Sequence, residues 1–138
     1  GLPSDADYPY TSGENGDDGK CKESQGEMKA KIDGWTSFNP KSVQEMQEAL
    51  YYHGPLAVAI NSIQMQFYQS GVDKADFCLY GEVNHAVLLV GWGQKDGTVF
   101  WIIKNTWGTE WGEEGYYRIS TAEHACGLNE IIQTSVLW

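Results

Sequence analysis

One segment of the chain, KSVQEMQEALYYHG at residues 41–54, carries a clear helical pattern. Its apolar side chains recur at intervals of three and four residues and therefore share one helix face; these are Val43, Met46, Ala49 and Leu50. Ser42 followed by Glu45 forms a capping box, in which both side chains satisfy backbone N–H groups at the helix start. Gly54 and Pro55 are typical of a helix end. The pattern predicts an amphipathic helix over residues 41–54.

The remainder of the chain after this helix reads mainly as strands. Apolar runs bounded by turn residues predict five of them, at residues 55–60, 84–93, 98–105, 115–120 and 127–138. The sequence QKDG at residues 94–97 contains an Asp-Gly pair and indicates a hairpin. Residues 65–72 predict a short helix or turn. One helix followed by consecutive antiparallel strands indicates an α+β protein with a twisted or barrel-like sheet.

Length and charge exclude several classes of function. The 138 residues suffice for about one domain with a buried core, and 41% of them are hydrophobic. Nineteen acidic side chains outweigh nine basic ones, for a net charge of −10. Nucleic acid and anionic membranes bind basic surfaces, so neither is an expected partner. The longest apolar run is also far shorter than the roughly 20 residues that span a bilayer.

Three cysteines, Cys21, Cys78 and Cys126, make an odd number. Their spacing fits no zinc motif, and we expect no metal or organic cofactor. In a reducing cytosol they would be buried thiols. In an oxidising compartment two could pair, and the third would be left for a partner on another chain. The spacing alone does not choose between these readings.

A histidine and an asparagine lie at the ends of the two hairpin strands. If residues 94–97 form a four-residue turn, positions whose numbers total about 190 face each other, and His85 then faces Asn105. An asparagine oxygen can fix the tautomer of an imidazole, which leaves its other nitrogen free to serve a nucleophile. Trp107 and Trp111 follow and could shield this pair from water.

Each of these features also has a purely structural interpretation. A lone histidine at a strand end often only packs or forms a hydrogen bond, and we interpret His53 and His124 in this way. The sequence WGTEWGEEGYY, residues 107–117, could be simply an aromatic surface punctuated by glycine. Exposed Trp and Tyr side chains would also suit a sugar-binding module.

Several segments together resemble the papain-like cysteine proteases, in particular the cathepsin group. The similar segments are VNHAVLLVGWG, FWIIKNTWGTEWGEEGYYRI and ACGLNE, preceded in the same order by YPYTSGENGDDGKC, GPLAVAI and QFYQSGV. The resemblance covers essentially the whole chain. It implies the papain-like α+β fold, with residues 1–25 as the tail of the left-hand domain and its crossover. Residues 26–138 would form the β-rich, barrel-like right-hand domain, with its one capped helix.

The resemblance implies a catalytic role for two residues and a supporting role for the tryptophans. His85 matches the catalytic histidine, Asn105 the asparagine that orients it, and Trp107 the tryptophan that shields the pair. Thr106 stands where serine is commoner in the family. The family's nucleophilic cysteine and oxyanion-hole glutamine belong to a segment that this sequence does not contain. We therefore expect the chain to be inactive alone and to complement a separate N-terminal portion of the same cysteine endopeptidase.

The same resemblance implies pairings for the cysteines. Cys78 would pair with Cys126 and close a loop of roughly 48 residues. Cys21 would form a disulfide with the N-terminal, nucleophile-bearing chain. These bridges indicate a lysosomal, vacuolar or secreted protein.

The family's main specificity pocket binds the second residue before the scissile bond. By resemblance its wall includes Ala59 and Ala86, its rim Asn84 and its floor Ile131. An aliphatic floor without a carboxylate favours apolar side chains over arginine. The alternative is that Ala59 and Ile131 only fill the core. A second alternative concerns the whole protein, which could be a non-catalytic homologue that acts as a binding or scaffold protein.

Overall fold

The structure, a computed structural model, describes residues 1–22, 26–76, 78 and 82–137, with the backbone alone at 123 and 124. The chain forms two compact units. The first comprises residues 1–35 and 135–138, and the second residues 36–134. In the first unit strand β1 pairs antiparallel with β2, and a one-turn helix α1 lies between them in sequence; the bounds are Leu2–Pro3 for β1, Ser12–Asn15 for α1 and Met28–Ala30 for β2.

The other strands form a six-stranded sheet in the order β3-β8-β4-β5-β6-β7. Their bounds are β3 Gly34–Phe38, β4 Leu56–Ile60, β5 His85–Lys95, β6 Thr98–Lys104, β7 Tyr116–Ser120 and β8 Ile132–Val136. Helix α2 spans Val43–His53, and two 3₁₀ helices span Met65–Phe67 and Ala122–Gly127. Strand β4 is antiparallel to β5 and β8, and β6 is antiparallel to β5 and β7. The predicted α+β class is confirmed.

Helix α2 begins as its sequence predicts. The Ser42 side chain accepts a hydrogen bond from the Glu45 N–H at 3.1 Å, and the Glu45 carboxylate accepts one from the Lys41 N–H at 2.7 Å. Of the predicted apolar face, Met46 and Leu50 are buried. They join a core made by alternate residues of the sheet, which include Leu56, Val58, Ile60, Leu89, Ile103, Tyr117 and Ile119. The helix therefore packs on one face of the sheet, because this contact removes its apolar face from water.

The hairpin between β5 and β6 differs from the prediction. The strands extend to Lys95 and Thr98, which pair directly, so the turn has only two residues, Asp96 and Gly97. Both have positive φ, at 50° and 82°, as a type I′ turn requires. Near this turn, the numbers of two residues that pair across the hairpin add up to 193. The predicted four-residue turn had required a sum of about 190.

A bulge then changes the register farther from the turn. Gly91 pairs with Ile102 and Leu89 with Ile103, so that Val90 is an additional residue on β5. Beyond it the paired numbers total 192. Direct pairing of His85 with Asn105 was therefore wrong. If the observed register continues to the strand ends, His85 lies diagonal to Asn105 on the same face of the sheet. The observed register differs from the predicted one by two residues, and side chains alternate between the faces with a period of two.

Other predicted bounds were also only partly right. The segment at residues 65–72 contains a single turn of 3₁₀ helix, and the strand predicted from residue 127 begins at Ile132. Strands β1, β2 and β3 and helix α1 were not predicted. Assignment of residues 1–25 to a left-hand domain stays a prediction. Among the described residues no helix is both long and apolar enough to cross a membrane.

The antiparallel order brings four strand ends to one edge of the second unit. Strands β4 and β6 finish there, and β5 and β7 begin there. Ile60, the last residue of β4, pairs with His85, the first of β5. Asn105 directly follows β6, and its N–H donates to the Gly115 carbonyl just before β7 at 3.0 Å. This edge carries the candidate site.

Candidate active site

His85 and Asn105 form a direct side-chain hydrogen bond. The distance from His85 Nε2 to Asn105 Oδ1 is 2.8 Å, and Asn105 is 7% exposed. An amide oxygen only accepts, so Nε2 is the nitrogen that carries the proton. The other ring nitrogen, Nδ1, is left without a proton in the neutral ring and can accept one. This is the arrangement that an oriented general base requires.

Two tryptophans cover this pair. Trp107 stacks on the His85 ring with centroids 5.1 Å apart and an interplanar angle of 27°. Trp111 meets Trp107 edge-on, also at 5.1 Å, with an angle of 80°. The predicted neighbours of the histidine are therefore all brought together, and the indoles reduce the access of water to the His85–Asn105 hydrogen bond.

Two tyrosines that were not predicted lie next to Trp111. Tyr68 and Tyr117 have ring centroids 5.7 and 6.1 Å from that of Trp111, and 4.7 Å from each other. We call Trp107, Trp111, Tyr68 and Tyr117 the aromatic stack. Tyr68 comes from the segment after β4 and Tyr117 from β7, so no local pattern in the sequence links them to the histidine.

The segment that carries Tyr68 is bound to Glu113, which forms an ion pair with Arg118 of β7. Glu113 binds Arg118 through both carboxylate oxygens and also accepts a hydrogen bond from the Gly71 N–H at 3.1 Å. The Tyr68 hydroxyl donates to the Gly71 carbonyl at 2.7 Å. Hydrogen bonding to the Arg118 guanidinium lowers the pKa of Glu113 below its usual value. The ion pair and the Gly71 contact together hold the loop beside the stack.

Glu113→Gln is expected to destabilise the complete protein by about 1 kcal/mol near neutral pH. Because the folded pKa of Glu113 lies below the ordinary 4.5, this stability is present above that value and disappears as the pH falls through the lowered pKa. Thermal unfolding measured from about pH 7 to about pH 3 checks this. Glu114→Gln, at the exposed neighbour, is the matched control. A difference that persisted in acid would contradict an ionic origin.

The four predicted pocket residues lie around the start of β5. Ala59 pairs directly with Ala86 across the two strands, and its N–H donates to the Ile131 carbonyl at 3.1 Å. Ala59 is half-buried, and Ile131 is 50% exposed. Asn84 is exposed, and its side-chain oxygen accepts from the N–H and the hydroxyl of Ser62 at 2.9 and 3.0 Å. These residues lie together, and Ile131 is not part of the core.

A disulfide joins Cys78 to Cys126, the pair that the resemblance implied. The Cys126 carbonyl accepts a hydrogen bond from the Asn61 N–H at 2.9 Å, directly after β4. Cys21 is exposed and is a free cysteine of the first unit.

The other histidines fit their structural interpretation or lie outside the description. His53 packs on Phe38 with ring centroids 4.8 Å apart, at the end of α2. The His124 side chain lies outside the described side chains. No group of three or more His, Cys, Asp or Glu side chains that could hold a metal ion is found in the described part of the chain.

Comparison with known proteins gives a consistent result. Residues 1–136 match the family model of the papain family cysteine proteases. The chain is 40% identical over 139 residues to a viral cathepsin of Cydia pomonella granulosis virus and 42% over 147 residues to cysteine proteinase 1 of Zea mays. These matches cover 99% and 97% of this chain but only 39% and 37% of the relatives.

A solved structure shows the same fold. Digestive procathepsin L2 from the larval midgut of Tenebrio molitor superposes with a TM-score of 0.87 at 29% identity, covering 99% of this chain and 43% of that one. The fold is that of a papain-like protein, and the predicted resemblance is confirmed. The chain belongs to the papain family of cysteine proteases, and it spans about two-fifths of the length of the relatives named above.

Proposed function

We propose that this chain supplies the histidine and asparagine of a cysteine peptidase. The observation that carries the proposal is the 2.8 Å bond from His85 Nε2 to Asn105 Oδ1 beneath Trp107. It leaves Nδ1 of His85 as the nitrogen that would take the proton of a thiol. In the intact enzyme the imidazolium would hold the thiolate as an ion pair and lower the pKa of the thiol.

The reaction that this geometry supports is peptide-bond hydrolysis in two steps. The thiolate attacks the peptide carbonyl, and the His85 imidazolium gives its proton to the leaving amine. Water then attacks the acyl-enzyme, with the imidazole as base. Asn105 would keep the ring in one tautomer throughout, and Trp107 would limit the access of water to the bond between them.

The nucleophile in this proposal comes from an N-terminal portion outside residues 1–138. Cys78 and Cys126 are joined to each other, which leaves neither as a thiolate. Cys21 is exposed and free, which suits a disulfide to that portion. Without the N-terminal portion, this chain would be inactive. The Cys78–Cys126 disulfide also supports a lysosomal, vacuolar or secreted location.

The first experiment is the intact mass of the natural protein before and after reduction. Release of a second chain from Cys21 would support the two-chain arrangement. A chain released without a cysteine in a nucleophile segment would instead support a non-catalytic homologue. An unchanged composition, with Cys21 unpaired, would contradict the proposed linkage.

The second experiment is hydrolysis of fluorogenic dipeptidyl amides by the complete protein. Activity that an alkylating thiol reagent abolishes would support the peptidase. A complete protein that retains a free nucleophilic cysteine but cleaves no peptide would contradict it.

We also propose a preference for apolar side chains at the second residue before the scissile bond. The half-buried Ala59, the exposed Ala86 and the half-exposed Ile131 offer apolar surface beside His85. The complete enzyme should cleave Leu-containing dipeptidyl substrates at least about tenfold better than Arg-containing ones. Ile131→Glu should lower the ratio of Leu to Arg cleavage rates, because the carboxylate would attract the arginine side chain. Ile131→Gln is the uncharged control. A wild-type preference for arginine would overturn the assignment.

A further inference from the structure

The aromatic stack ends on a buried tyrosine whose hydroxyl has one defined acceptor. Tyr117 is fully buried, and its hydroxyl donates to Asp73 Oδ2 at 2.7 Å. Burial raises the pKa of Tyr117, and the hydrogen bond to Asp73 acts in the same direction. The phenol therefore keeps its proton and remains a donor wherever the protein is folded.

Asp73 is held in place from several sides. Its Oδ1 accepts from the Ala75 N–H at 3.0 Å and from Gln64 Nε2 at 3.1 Å. Its backbone is fastened along β7, because its N–H donates to the Arg118 carbonyl at 2.9 Å and its carbonyl accepts from the Ser120 N–H at 2.7 Å. The carboxylate is thus a fixed point against which the Tyr117 ring is oriented.

We propose that Asp73 and Tyr117 are positioning residues for His85, which they reach through Trp111 and Trp107. The proposal rests on the proposed function, because it assigns these two residues to the support of a catalytic imidazole. Neither residue touches the His85–Asn105 pair. They are linked to His85 by a chain of contacts. It runs from the Asp73–Tyr117 hydrogen bond through the ring contacts of Tyr117 with Trp111, of Trp111 with Trp107 and of Trp107 with His85.

The physical reason lies in how Trp107 is supported. Trp107 is 39% exposed, so part of its ring faces solvent, and its edge contact with Trp111 limits its tilt over His85. Trp111 in turn packs on Tyr68 and Tyr117. If Tyr117 loses its bond to Asp73, that bond no longer fixes the position of its ring. Even a small shift of the ring would then displace Trp111 and Trp107, because closely packed side chains transmit such changes. A tilted Trp107 would admit water to the His85–Asn105 bond.

The test compares Tyr117→Phe with wild type in the complete protease. We expect kcat to fall by about 5- to 10-fold with KM nearly unchanged, because the change disturbs orientation at the reacting groups and leaves the substrate surface intact. The downfield proton resonance of His85 Nε2–H, assigned by its loss in His85→Gln, should exchange with water faster by a similar factor. Both readouts report on the imidazole, and a core variant that lowers global stability, Leu50→Ala, separates their change from the effect of destabilisation.

A double-mutant cycle and two controls make the test specific. Asp73→Ala combined with Tyr117→Phe should be no worse than the more harmful single variant, because both remove the same bond. Tyr116→Phe removes a hydroxyl from the neighbouring, 38% exposed tyrosine, and Leu50→Ala weakens the core beside α2. Neither should change the resonance. Additive effects in the cycle, or an unchanged resonance in Tyr117→Phe, would overturn the proposal.

Failure of the two proposals can be told apart. If the wild-type complete protein cleaves no peptide, the proposed function fails. The exchange rate of the His85 resonance can still be measured, and acceleration in Tyr117→Phe would support positioning of the ring. If the wild type is active and Tyr117→Phe matches it in kcat and exchange rate, only the positioning role is overturned.

Discussion

Replacement of His85 by alanine in the complete protease is expected to lower kcat/KM for a dipeptidyl amide by about 10²- to 10⁴-fold. Under the proposed function the imidazole takes the thiol proton, and Asn105 and Trp107 contact its ring from two sides. Its loss removes both the base and the ion pair that keeps the nucleophile ionised. Steady-state kinetics at one fixed pH, with the active sites titrated, would measure the effect.

His53→Ala is the matched control for this experiment. His53 also contacts an aromatic ring, that of Phe38, but it lies at the end of α2 and has no hydrogen bond to Asn105. Its variant should retain wild-type kcat/KM. Comparable activity of His85→Ala and wild type would contradict the assignment of His85 as the base, even if the complete protein proved to be a peptidase.

Removal of the disulfide, by Cys78→Ser together with Cys126→Ser, is expected to cost about 4 kcal/mol of unfolding free energy. The two cysteines are 48 residues apart, and the chain-entropy model assigns this value to a loop of that length. The bridge also secures Cys126, whose φ of 59° is unusual for a residue other than glycine. The midpoint of thermal unfolding of the complete protein should fall by about 10 °C.

Reduction provides the control for this second prediction. A reductant should lower the unfolding midpoint of the wild type by more than that of the double variant, because only the wild type has this bridge to lose. Equal effects of the reductant on both proteins would show that the Cys78–Cys126 bond adds little stability.

Local patterns were sufficient for the elements whose stabilising contacts are near in sequence. Ser42 and Glu45 specify the start of α2 because they act within one helical turn, and Asp96 and Gly97 specify the turn because both adopt positive φ. Strands β1, β2 and β3 were missed. Two of them have only two or three residues, and such short runs hold too few positions to show alternation.

The tertiary structure decided which side chains meet in the candidate site. The sequence by itself determined the family, the strand ends on which His85 and Asn105 lie, and the tryptophans that follow them. It did not reveal the bulge at Val90. Near the turn, the numbers of paired residues total 193. If this register continued to the strand ends, His85 and Asn105 would lie on opposite faces of the sheet, because side chains alternate with a period of two residues.

The same limit applies to the support of the site. Asp73 and Tyr117 are 44 residues apart, and each on its own reads as an ordinary loop or strand residue. Their hydrogen bond and the ring contacts of Tyr117 with Trp111 exist only after the loop beyond β4 has packed along β7. Residue types and local pattern therefore determined which groups are available. Register and long-range packing, which depend on the whole sheet, decided which of them touch.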